Sequence, residues 1–477
     1  MAMNRQKSAV RSMPAAPEQP APTKGLSRTE LHALGKQLRD TCPRDSHARW
    51  DAPRNRPDPV SLLLEAEKGR LPELIPLRHG RMAASPFTFY RGAALTMASD
   101  LASTPITGVR VQCCGDAHLS NFGGFATPER RVIFSINDLD ETLPAPWEWD
   151  VKRLAASFLV ASRDNGLSDA KGKDAVMTCV RTYREAMAEF SEMKTLELWY
   201  AVMDADELVA GIKDRKVRRR GLKRLQKERG RSVAEDIFPK LAEQKGETAI
   251  IKDEPPTIFH REDTPAGVVP EGIRESFAAY RATLPPSYQS LLDRYEIRDA
   301  AMKVVGIGSV GTSCVVYLLM AGEGDPLFLQ VKEARASVLE PYAGASEFSN
   351  HGQRVVNGYR LMQPASDIFL GWVQGVRDLR HYFVRQLRDI KISIRVETFG
   401  APEMSLYATW CGRALALSHA RSGFPALLSG YMGKNDEFDE ALASFSTAYA
   451  DQNEKDHAAL KRAIHSGTIK AQVEEEK

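Results

Sequence analysis

Three polar residues in the first third of the chain have the types and spacing that phosphoryl transfer requires. In GDAHLSNF, Asp116 and Asn121 stand five positions apart on a turn that follows an apolar run. Moving a phosphoryl group needs an acid beside the attacking hydroxyl and a neutral oxygen donor near the metal, and one rigid turn with this spacing can supply both. Asp138 follows Asn121 by 17 residues at the end of a second apolar run, where its carboxylate can reach the same Mg²⁺. Asp140 points the same way if the strand continues, and is a candidate for a second metal contact. His118, inside the loop, reads more as a hydrogen-bonding brace of the catalytic turn than as a proton carrier.

A second group of candidates lies about 190 residues further on. GIGSVG places Gly306, Gly308 and Gly311 in a G-x-G-x-x-G array, a pattern that is weak alone. A dinucleotide-binding loop would continue into a helix and carry an acid about 20 residues on. Glu323 and Asp325 fall near that distance, but TSCVVYLLM is β-branched and strand-like, so the helix is missing. A loop joining two antiparallel strands and covering nucleotide phosphates fits better, with a plain glycine hairpin as the bland reading. Lys332, in LFLQVKEA, is then placed to hold the α- and β-phosphates of ATP. It needs a carboxylate partner, and both Glu340 and Glu347 qualify.

The run from Gly115 to Asn121 resembles the G-D-x-H-x-x-N catalytic loop of aminoglycoside phosphotransferases and choline kinases. Asp138-Leu139-Asp140 resembles their D-F/W-D/E metal motif. PWEWDVKRLA, with Asp150, is a looser likeness, because Val-Lys-Arg intervenes before Leu154-Ala155. In those kinases the Gly-rich loop and lysine precede the catalytic loop, whereas here they follow it. CGRALALSHARSG, residues 411–423, resembles the helix that normally runs into the catalytic loop. The resemblance therefore implies an α+β, protein-kinase-like, two-lobed fold, circularly permuted so that helical C-lobe elements come first and a small antiparallel N-lobe second. From about residue 60 to 465 the layout, with SPFTFYRG, GDAHLSNFG, NDLDET, LFLQVKEA, GQRVVNGYRLMQ and YADQNEKD, resembles an uncharacterised bacterial family, domain of unknown function 2252. That likeness supports the fold and leaves the reaction open.

The elements that must position these residues can be read coarsely. Residues 1–28 are Pro-, Ala- and Ser-rich and read as a disordered leader. Residues 29–295 read as a mostly helical unit holding the catalytic loop, a short strand at 109–114, a hairpin over 121–137 and a helix over 147–166. A helix is also expected from about Gly92 to Leu101. Residues 296–400 read as the antiparallel sheet with a helix near 346–363, and 401–477 as helices packing back on the first unit, ending in a polar tail. The basic run 212–231 reads as a solvated helix face, since no aromatic residue is interleaved for nucleic-acid stacking.

Bulk properties exclude several classes. A net charge of +3 over 477 residues gives no electrostatic case for nucleic acid, which is not an expected partner. No run approaches the roughly 18 apolar residues of a membrane span, and the N-terminus lacks a secretory h-region. The six cysteines have no zinc-ligand spacing and read as core thiols in a reducing, cytoplasmic setting. The expectation is an ATP- and Mg²⁺-dependent phosphotransferase acting on a hydroxyl of a small-molecule or protein acceptor. Arg78, Arg81 and Arg91 could grip an anionic acceptor, or be surface residues. Nucleotidyl transfer with the same metal ligands, and a nucleotide-binding regulatory module without turnover, are the competing readings.

Overall fold

A computed structural model describes residues 25–473 apart from 247, 323, 388 and 389. Most of the expected leader, the last four residues of the tail, and Glu323 lie outside the described residues. Helix accounts for 53% and strand for 16%, and the strands pair antiparallel, so the fold class is α+β.

The helical part is built around the helix Trp147–Asp164, which is buried on nearly every side. A helix covered all round belongs in a core, yet this one carries Glu148, Asp150, Lys152 and Arg153, all buried. Buried charge is costly unless it is paired. Here the partners are loop atoms: Glu148 accepts from Thr107 N and Oγ1, and Lys152 Nζ donates to Pro105 O at 3.3 Å. Asp150 and Arg153 reach the turn that holds Asp116. The helices Asp169–Glu192, Ala401–Ser422 and Glu437–His465 contribute to the same apolar core.

The larger sheet has six strands in the order Gly371–Gln374, His381–Gln386, Asp325–Glu333, Cys314–Ala321, Glu296–Lys303 and Ile258–Phe259. Alternate residues serve opposite faces. Tyr317, Leu319, Leu327, Leu329 and Val331 pack with Tyr280, Leu284 and Leu292 on one side. Val316, Leu318 and Phe328 pack with Ile237, Leu241 and Ile251 on the other. The same alternation turns Gln330 and Lys332 to the second side, where the cleft lies. The smaller sheet is the expected hairpin, Phe122–Ala126 with Val132–Ile136, extended by Lys391–Ser393. The chain that leaves the large sheet after Gln386 therefore joins the hairpin that follows Asn121.

Two expectations need correction, the boundary at 295 and the start of the helix near 346–363. The mostly helical first unit also holds short strands: Ala242–Lys245 pairs with Thr248–Ile251, and Ile258–Phe259 extends the large sheet. Residues 237–292 thus pack with the sheet, and the boundary drawn at 295 falls inside this packing unit. The helix expected at 346–363 begins only at His351, because Asn350 caps it by accepting from Gln353 N. The helix expected from about Gly92 to Leu101 is present as Ala94–Leu101, preceded by the helix Pro86–Gly92.

Candidate functional site

The turn carrying Asp116 is fixed from below by the central helix. Asp150 accepts the backbone N–H groups of Cys114 and Gly115, the latter at 3.0 Å, and is 3.1 Å from His419 Nε2. It is a buried orienting carboxylate, not a helix cap; the cap position is Pro146. His419 Nδ1 lies 2.9 Å from Tyr183 Oη, so this chain of groups ties two more helices to the turn. Gly115 sits at φ 82°, where a Cβ would lie 2.3 Å from Glu141 O, so only glycine fits.

Arg153 donates through Nε to Asp116 Oδ1 at 2.7 Å and also through Nη2 to the same oxygen. Oδ2 is left toward the cavity. His118 Nε2 lies 3.8 Å from that oxygen, too far for a hydrogen bond, and its Nδ1 is buried without a partner. Burial pushes the His118 imidazole down to about 3, against the pull of Asp116, so the ring is neutral near pH 7 and is no proton carrier there. Asn121 donates Nδ2–H to Asp116 O at 2.8 Å, which leaves Oδ1 as its free donor atom for a cation.

Lys332 brings the two halves of the chain together. Its Nζ lies 3.7 Å from Asp138 Oδ2 and is in direct ion-pair contact with Asp140. This is well inside the roughly 10–12 Å that a triphosphate bound to both would span. Burial disfavours the Asp138 carboxylate, but Lys332 and Arg385 outweigh it and hold its pKa below the ordinary range. Burial and the neighbouring Asp138 push Asp140 up, to about 7, against Lys332. Asp140 Oδ1 is buried with no partner, an orphan atom that a cation would satisfy. With Asn121 Oδ1 and Asp138, the donor set is the all-oxygen kind that suits Mg²⁺.

Neither expected glutamate partners the lysine. Glu340 accepts from Ser337 N at 3.1 Å and lies 3.8 Å from His351. Glu347 is exposed in the loop before the helix it was assigned to. The helix His351–Met362 instead presents Arg354, which donates to Asp140 O and Arg335 O at 2.8 Å, and Tyr359, whose Oη donates to Asn137 O at 3.1 Å. Arg385 donates to Tyr359 Oη at 3.0 Å and to Gln330 Oε1 at 3.0 Å. Arg153, Arg354, Tyr359 and Arg385 were missed by sequence reasoning, and only Arg153 carried a signal: a cation at a core position of an apolar helix.

The loop bearing Gly306, Gly308 and Gly311 joins two antiparallel strands and closes onto the turn that carries Asp116. A Cβ on Gly308 would lie 4.0 Å from Asp116 Oδ2, and Gly311 needs its φ of 87°. The loop is also fastened from outside. Leu71 N donates to Gly311 O at 2.7 Å, Arg70 Nη1 to Val310 O at 2.6 Å, and Arg81 Nη1 to Val305 O at 3.1 Å. Of the three arginines suggested for an anion, Arg78 is committed to Glu67 and Gly92 O, Arg81 to this loop, and Arg91 faces the cavity.

Two connected chambers result. The larger, about 1220 Å³, is lined by Lys332, Gln330, Arg385, Leu387, Ile390 and Lys391 among others. It exceeds the roughly 300–1,000 Å³ typical of ligand clefts. Lys391 is open to water in the cleft yet enveloped by protein, and burial together with Arg385 holds its ammonium down at about 8. The smaller chamber, about 100 Å³, holds Asp116, His118, Glu141, Arg70 and Arg78.

Residues 70–463 match a family model described as an uncharacterized protein conserved in bacteria, DUF2252. The chain belongs to this family. The match spans Arg70, the turn carrying Asp116, the Gly-rich loop, Lys332 and Lys391. Comparison with curated proteins and with solved structures gave no match. Among the described residues no helix is long and apolar enough to cross a membrane, and the six cysteines are buried and unpaired.

Proposed function

We propose that the protein is an ATP- and Mg²⁺-dependent phosphotransferase acting on a hydroxyl, on a circularly permuted kinase-like fold. The observation that carries this reading is the meeting of Lys332 with Asp138 and Asp140 at a cleft, beside Asn121 and beneath a Gly-rich loop. A buried lysine between two carboxylates has packing value of its own. A large cationic chamber on one side and an acid-bearing chamber on the other give the arrangement a direction.

The large chamber takes the nucleotide, with Lys332 on the α- and β-phosphates and Arg385 and Lys391 adding positive charge. Asn121, Asp138 and Asp140 would hold Mg²⁺, which would neutralise charge on the phosphates. Asp116 Oδ2 orients the acceptor hydroxyl and receives its proton, while Arg153 fixes Oδ1. The acceptor oxygen bonds to the γ-phosphorus, and the bond from that phosphorus to the bridging oxygen breaks with its electron pair leaving on ADP.

The first test is calorimetric binding of Mg–ATP to the full-length protein, followed by turnover with an acceptor screen. Asp138→Ala is expected to lower turnover by about 10²-fold or more, the scale of losing one electrostatic stabiliser. Asp116→Ala should lower turnover while leaving nucleotide affinity unchanged. Tight nucleotide binding with no turnover in the native protein would instead mean a sensor, and no binding at all would end the reading.

A further inference from the structure

Five residues line both chambers: Arg91, Asn121, Asp138, Gly306 and Ser309. They stand where the two chambers adjoin, between the proposed nucleotide site and an acceptor beside Asp116. Four are accounted for by the metal ligands and the Gly-rich loop. Arg91 is not.

Arg91 lies in the last turn of the helix Pro86–Gly92, with its guanidinium 6.0 Å from the centre of the Phe87 ring. Its Nε is buried without a hydrogen-bond partner, and no ion pair joins it to a carboxylate among the described residues. Three acids act on Arg91 through their charge: Glu397 most strongly, though at no ion-pair distance, then Asp116, which is paired with Arg153, and Asp138, which is paired with Lys332. The neighbouring arginines are committed, Arg78 to Glu67 and Arg70 to the carbonyls of Ala66 and Val310. A half-buried guanidinium with no anion in direct contact is costly, and its fork of N–H donors matches two oxygens of a phosphoryl group.

We propose that Arg91 binds the phosphoryl group in transit, where the two chambers adjoin; this rests on the phosphotransferase reading. During transfer one P–O bond forms to the acceptor and one breaks toward ADP, and the acceptor proton passes to Asp116. The peripheral oxygens keep their negative charge throughout, so a fixed cation beside them is useful at every stage. Arg91 then contacts the γ-phosphate and makes no contact with ADP.

The test is calorimetric titration of the full-length protein, Arg91→Gln and Arg91→Lys with Mg–ADP and with the non-hydrolysable triphosphate Mg–AMPPNP. Arg91→Gln should weaken Mg–AMPPNP about tenfold or more, the worth of one charge-assisted hydrogen bond, and leave Mg–ADP within about twofold. Arg91→Lys should recover part of the loss. The melting temperature of the ligand-free protein should not fall in Arg91→Gln, because an unpartnered charge is being removed. Equal weakening of both nucleotides, weakening of neither, or a fall in melting temperature would overturn the assignment while leaving the phosphotransferase reading intact. An unmutated protein that binds neither nucleotide would overturn both.

Discussion

At the scale of single residues, the site depends on buried polar groups whose partners are few and specific. His118 is the clearest case: 4% of its side chain is exposed, and its Nδ1 has no hydrogen-bond partner. Its pKa is about 3 in the folded protein, against about 6.5 in an unfolded chain. Because the folded value is the lower one, the folded state binds fewer protons between these pH values. Stability is therefore full above about pH 6.5 and is lost as pH falls toward 3, by about 1.4 kcal/mol per unit. His118→Gln removes that titration and breaks no hydrogen bond made by the ring. Urea midpoints measured from pH 7 to 4.5 should show a shallower acid decline in the variant; identical slopes would mean the native ring is already charged. Lys332→Met acts in the opposite sense at neutral pH, since it leaves Asp138 and Asp140 side by side in the cleft wall without their counter-charge.

At the scale of elements, the helix Trp147–Asp164 works as a jig for the turn that carries Asp116. Asp150 takes two backbone donors from the turn, and Arg153 takes the Asp116 carboxylate itself. Asp150→Ala would leave two buried N–H groups unsatisfied, each costing about 1–3 kcal/mol, so a loss of about 3 kcal/mol is expected in urea denaturation. A change below about 0.5 kcal/mol, the range of ordinary surface substitutions, would show that the turn does not hang from this helix. How much of this was legible in the sequence follows from the same distinction between local and distant signals. Asp116, Asn121 and Asp138 lie on a strand–turn–hairpin whose apolar runs and turn residues are contiguous, so both the elements and their spacing could be read. The glycine loop was legible for the same reason. The partners were not, because they arrive from elsewhere: Arg153 from a later helix, where a cation at a core position was the one signal and named no partner, and Arg385 from a strand about 250 residues away. Glu347 failed because Asn350 starts the helix four residues later than its periodicity suggested. The hairpin at 242–251 was hidden by short strands with polar neighbours, AEQK and TAII, which carry little period-two signal.

At the scale of the whole molecule, the two units share one cleft, and their coupling can be measured without knowing any substrate. The helical unit contributes Asp138 and Asp140 just after the hairpin Phe122–Ile136, and the large sheet contributes Lys332. The strand Lys391–Ser393 stitches the sheet's exit to that hairpin. If the apposition is real, changes at the two ends must be non-additive. Lys332→Met alone leaves two neighbouring carboxylates, and Asp140→Asn alone removes one partner of the lysine. The double variant loses the lysine and relieves the clash between the acids together, so it should be more stable than the sum of the single changes implies. Residues in direct contact show interaction energies of about 0.5–3 kcal/mol, whereas distant ones add to within about 0.3–0.5 kcal/mol. Urea denaturation of the four proteins at pH 8, above the value of about 7 for Asp140, keeps that carboxylate ionised in the reference protein. An interaction energy above about 1 kcal/mol is expected. Additivity would separate residues 332 and 140 in solution, and with them the single nucleotide site that the proposed transfer requires.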